Sequence, residues 1–144
     1  MNTSLKIGYQ KSIIAGAIAG FVDGIVSYIS VFIAPSLGLW EAIPGTLTFS
    51  YIIVQLSAQI PFNMMWGIVF GLVFAMIYDR IPSKGAVKGL IFALIFYWLL
   101  SNIRISQIMA SFGEVLWPTV FIWGGFFASV AYGLVLGYLY KPKK

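Results

Sequence analysis

The chain has no cysteine and no histidine. The first absence removes disulfides and thiol nucleophiles, and the second removes the usual proton shuttle at neutral pH. Together they remove the commonest ligands for haem and zinc, and redox compartment cannot be read. Charge is scarce too: 9% of the 144 residues are charged, against about 25% in a soluble domain. Paired carboxylates, a metal-ligand cluster, a phosphate-cradling loop and a nucleophile elbow are all missing. These gaps disfavour an enzyme, and no cofactor or metal is expected.

What is present is apolar. Hydrophobic residues make up 60% of the chain and mean hydropathy is +0.95, so the solvent for most of this surface is expected to be lipid. Spans of about 20 residues each consume most of the length, leaving a single membrane domain and no room for a soluble catalytic one. The net charge of +5 does not point to nucleic acid, because the basic residues cluster beside hydrophobic runs, where orientation in the membrane explains them. The first run, Ser12 to Ala34, exceeds the roughly 7 to 15 residues of a signal-peptide core and reads as a retained span.

Four stretches, 12–34, 62–79, 87–106 and 117–140, have the length and polarity for crossing, which predicts an all-α, polytopic membrane protein. Eight of the nine basic residues then fall on one face: Lys6, Lys11, Arg80, Lys84, Lys88, Lys141, Lys143 and Lys144. That face is cytoplasmic by the positive-inside rule, placing both termini inside a cell membrane and Arg104, Glu41 and Glu114 toward the outside. Trp40, Trp66 and Trp117 fall at the expected outer boundary, Tyr78 and Tyr140 at the inner one. Asp79–Arg80 with Pro82 and Gly85 reads as a turn.

Residues 46–60 are apolar but carry Thr48, Gln55 and Gln59 along one stripe, and Pro61 leaves no room for a turn back through the membrane. A continuous helix over 46–79 would be roughly 50 Å long, beyond a hydrocarbon core of about 30 Å. The expectation is an outer-face or interfacial helix, kinked near Pro61. Gln55 and Gln59 are open to docking, an outer vestibule, headgroup contact or simple solvation.

Residues 67–78 align without gaps to 129–140, pairing Gly71 with Gly133, Leu72 with Leu134, Val73 with Val135 and Tyr78 with Tyr140. Lys11 and Lys88 open the first and third spans, and their wider spacing is accounted for by the length of segment 46–60. The pattern suggests two duplicated helical hairpins running in the same direction, with an insertion in the first. Convergent helix-packing composition is the alternative.

Each span carries a row of small residues. These are Gly16, Gly20 and Gly24; Gly67, Gly71 and Ala75; Gly89 and Ala93; and Gly125, Ser129, Gly133 and Gly137. Association in lipid depends on the close backbone approach that such rows permit.

Asp23 lies deep within the first run, where a charge costs about 2.5 to 3.5 kcal/mol on insertion scales. At 100° per residue it falls within about 20° of Gly16 and near Gly20 and Ser27, on the packing face. Equal depth predicts Tyr97, Ser101, Ser129 and Tyr132 as neighbours whose hydroxyls can donate to the carboxyl. Three roles are open: a protonated or hydrogen-bonded acid that fixes helix register, an ion, proton or substrate-coupling site, or a contact between subunits. Asn102 and Arg104 stand near the outer end of the third span, where Arg104 can snorkel to the interface or pair with Glu114 or Glu41.

The segments IIAGAIAGFVDGIVS, GIVFGLVFAMIYDRIPSKGAVKGLIFALIFYW and AYGLVLGYLY together resemble small four-span prokaryotic integral membrane proteins of unknown function. The resemblance covers most of the chain and implies four helices without supplying an activity. Those families often carry a histidine near the start of a span, which this chain lacks. The leading expectation is a non-enzymatic membrane subunit, surrounded by lipids and packed into a homo-oligomer or a larger complex. A small channel or transporter in which a proton or cation meets Asp23 is the alternative.

Overall fold

The computed structural model describes residues 3–36, 49–99 and 118–141. Among them the chain is all-helical, without strands, and forms four helices. Helix α1 is Thr3–Ser36 and α2 is Phe49–Ile77, closed by a 3₁₀ turn at Tyr78–Arg80. Helix α3 starts as Gly85–Phe92 and continues through a wider π-helical segment, Ala93–Trp98. Helix α4 is Pro118–Leu139. The apolar stretches Gly8–Ser30 and Leu56–Arg80 are long and apolar enough to cross a membrane, while Gly85–Trp98 and Gly125–Leu139 are shorter apolar helices.

Long, predominantly apolar runs account for the long helices, and the chemistry of the break explains where α2 stops. Ile81 precedes Pro82 and is extended, at φ −80° and ψ 125°, because the proline ring disfavours helical geometry in the residue before it. The chain then reverses through two left-handed positions, Ser83 at φ 94° and Gly85 at φ 54°. Glycine suits that region, whereas serine is strained there.

The structure corrects the expected interfacial helix at 46–60. From Phe49 onward this segment is the first part of α2 and shares one continuous helix with the span after it, with Pro61 inside. Proline forfeits one backbone hydrogen bond, a loss that neighbouring groups make good in many membrane helices. Trp66 consequently stands well inside α2, against the rings of Phe62 and Phe70, and not at a helix end. Trp40, Trp117, Asn102, Arg104, Glu41, Glu114 and Thr48 lie outside the described residues.

Helix α1 packs against both α2 and α4, and α4 packs against α3. The α1/α2 and α3/α4 seams are built on the small-residue rows. A methyl group added to Gly71 would lie 2.7 Å from the Ser12 carbonyl oxygen and 3.0 Å from the Gly16 Cα. One added to Gly133 would lie 2.7 Å from the Gly89 carbonyl oxygen and 2.6 Å from the Ala93 Cβ. Gly16 faces Gly67 and Gly89 faces Gly133 with equally little room. Among the described residues Gly125 makes no such close approach, since a methyl there would meet Trp98 at 3.9 Å.

Between α2 and α3 the filling is aromatic. Phe70 and Phe74 meet Phe92 at ring-centroid distances of 6.4 and 5.1 Å, and Phe70 meets Tyr97 at 5.0 Å. Phe74, Phe92, Tyr132 and Leu136 are fully buried in this core. Large apolar side chains such as Ile14, Val54, Phe62, Met76 and Ile95 cover the outside.

Candidate functional site

Asp23, on the buried side of α1, is only 3% exposed. The Tyr97 hydroxyl donates to its Oδ2 at 2.9 Å. Tyr97 comes from the π-helical segment of the third helix, and wide turns of that kind recur where a helix presents a side chain for a purpose. Its ring stacks on Tyr132 of α4, with centroids 4.3 Å apart and planes 11° from parallel. Tyr132, itself fully buried, donates from its hydroxyl to the backbone oxygen of Gly67 on α2, also at 2.9 Å. Two hydrogen bonds and one ring stack thus join all four helices at one level of the bundle.

The local sequence explains the placement. Gly67 bears no side chain, which lets Gly16 and Gly20 of α1 press against α2. A helical carbonyl keeps a second lone pair for such a hydroxyl. Phe70 sets its ring edge against Tyr97, 74° between planes, sealing the junction on the α2 side. A buried polar group left without a partner costs about 1 to 3 kcal/mol, so the value of the arrangement lies in its pairing.

Of the residues expected around Asp23, the structure brings Tyr97 into direct contact and sets Tyr132 against Tyr97. Ser129 is buried on α4 one turn from Tyr132, and Ser27 is half-buried on α1. Neither hydroxyl bonds into the junction among the described residues. Ser101 lies outside the described residues. The Gly67 carbonyl was invisible to a search by residue type, because every residue has one.

A second tie, at the basic end of the bundle, also escaped sequence reasoning. Lys88, expected only as a marker of orientation, is 7% exposed. Its ammonium donates to the Tyr78 carbonyl at 2.6 Å and sits 4.0 Å from the centroid of the Tyr78 ring. A cation there complements the negative end of the α2 dipole and gains from the aromatic face. The available signal was a lysine inside an apolar run, GAVKGLIF, a short turn away from a helix end.

Among the described residues no three carboxylates, cysteines or histidines converge. Compared with known protein families, curated proteins and solved structures, the chain matches none.

Proposed function

We propose that this chain is a multi-pass integral membrane protein with four spans and both termini in the cytoplasm. It acts as a non-enzymatic subunit that packs into a homo-oligomer or a larger membrane complex. The observation that carries this reading is the use made of the deep carboxyl: its partner is a hydroxyl of another helix, within a junction of all four. The large apolar side chains on the outside suit contact with lipid or with other membrane subunits. Detergent-solubilised protein should migrate as an oligomer or copurify with a fixed partner. A strictly monomeric protein that brings nothing with it would refute the subunit reading. Single cysteines placed near each end, in a chain with no native cysteine, should label from the cytoplasmic side alone.

The second reading, a proton or cation pathway through Asp23, draws on one feature: among the described residues the acid is partnered by a hydroxyl and by no lysine or arginine. Asp23→Asn separates the two. A register-fixing acid tolerates the amide, which still accepts from Tyr97, whereas a conducting acid loses flux in proteoliposomes.

A further inference from the structure

The lysine opening each hairpin reaches the carbonyl at the end of a helix from the other hairpin. Lys88 reaches Tyr78, and Lys11 reaches Lys141 at 3.3 Å. The charges around the two contacts differ. Tyr78 is followed in sequence by an acid, Asp79, and Lys88 is buried and closely bonded. The residue that follows Tyr140, in the aligned position, is Lys141. Lys11 is only half-buried and Lys141 is exposed, so two ammonium groups stand at the α1/α4 seam. Among the described residues neither forms an ion pair with a carboxylate.

The same two helices carry exposed aromatic side chains. Tyr9 is 40% exposed and Tyr138 is 66% exposed, and the Lys141 ammonium lies 5.4 Å from the Tyr138 ring centroid. A methyl on Gly8 would meet the Tyr140 hydroxyl at 4.0 Å, an ordinary van der Waals contact that brings α1 and α4 together here. Two cations that form no ion pair among the described residues, with Asp79 reaching only as far as the neighbouring Tyr140, stand at the basic end of an apolar bundle and suit a phosphate joined to acyl chains.

We infer that the α1/α4 seam at Lys11 and Lys141 binds the phosphate of an anionic phospholipid from the cytoplasmic leaflet. The inference rests on the membrane reading above. A basic residue near an anionic headgroup contributes about fivefold in affinity, so the two together give roughly 30-fold.

The full chain, purified in detergent, is titrated with phosphatidylglycerol and with phosphatidylcholine, and binding is followed by native mass spectrometry and thermal stability. The unaltered protein should prefer the anionic lipid by about 30-fold, and Lys11→Gln with Lys141→Gln should remove most of that preference. Lys141→Asp, which introduces the acid type of the aligned position, should abolish it while leaving helical content unchanged. Arg80→Gln with Lys84→Gln, two exposed cations on the other connection, should retain it. An equal loss in that control overturns the seam in favour of diffuse charge. Inorganic phosphate that alone stabilises the protein and displaces the lipid overturns it in favour of a free anion. A chain that resists alkaline extraction from membranes yet shows no lipid preference overturns the site and spares the membrane reading. A chain stripped by that extraction overturns both.

Discussion

The α1/α2 hairpin and the α3/α4 hairpin meet through seams of the same design, and they part company one turn further along. In the first, Gly71 presses on Ser12 and Gly16; in the second, Gly133 presses on Gly89 and Ala93, the residues that the two lysines bring into alignment. Beyond that turn the first seam continues with Gly67 against Gly16 and Gly20. The second carries Ser129 and Tyr97 at the corresponding places, and its helix widens into a π-helical segment. Close backbone packing in one hairpin thus faces a gap filled by aromatic and hydroxyl groups in the other. The acid from the glycine-rich hairpin reaches into that gap. A seam that can host either glycine or tyrosine lets one half act as a rigid clamp and the other as a receptacle.

Matched substitutions break this comparison most severely. Gly71→Leu and Gly133→Leu should each cost about 3 kcal/mol or more, because the groups in the way are largely backbone and cannot swing aside. Thermal denaturation in detergent checks both, and tolerance of either one would show that the two seams are not equivalent. Tyr97→Phe comes next. It strips the donor from a buried carboxyl and should cost about 1 to 3 kcal/mol, and Asp23→Asn in the same background should recover part of the loss.

Lys88→Met should cost about 1.5 to 3 kcal/mol by removing a buried charged hydrogen bond, whereas Lys11→Met at the looser seam should stay below about 1 kcal/mol. Equal effects would erase the distinction between the tightly bonded, buried lysine and the loosely bonded, half-buried one. The smallest effect is a gain: Ser83→Gly relieves a left-handed serine in the turn joining the hairpins and should stabilise by up to about 1 kcal/mol. Measured alongside the lysine variants, it reports whether that turn strains the joint between the two units.

Much of the bundle was legible in the order of residues. The small-residue rows announced where helices touch, since nothing larger than glycine fits at Gly16 or Gly89. Asp23 announced its own burial, and counting depth found Tyr97 because a hydroxyl at the same level of a neighbouring helix is a cheap partner for a deep acid, whereas Tyr132, found at that level too, gives its hydroxyl to the Gly67 carbonyl. The wide turn at Ala93–Trp98 was hidden, because ALIFYW differs little from any apolar helical stretch. The length of α2 was misjudged for a different reason. Pro61 and the glutamines argued for an interruption, yet proline costs one hydrogen bond while breaking the helix would expose many more.

That continuity has a mechanical consequence. A rod of 29 residues is about 43 Å long, and a hydrocarbon layer of about 30 Å does not hold it upright. Either its first turns stand clear of the acyl chains as a short stalk, or it leans by roughly 45°, slightly past the range of about 0 to 40° that spanning helices adopt. Ile53 and Val54, both half exposed or more, favour leaning over a wet stalk. On the proposed membrane reading, lipids with longer tails let the rod straighten, so bilayer thickness would set the angle of α2 and, through Gly67, the alignment of the junction it anchors.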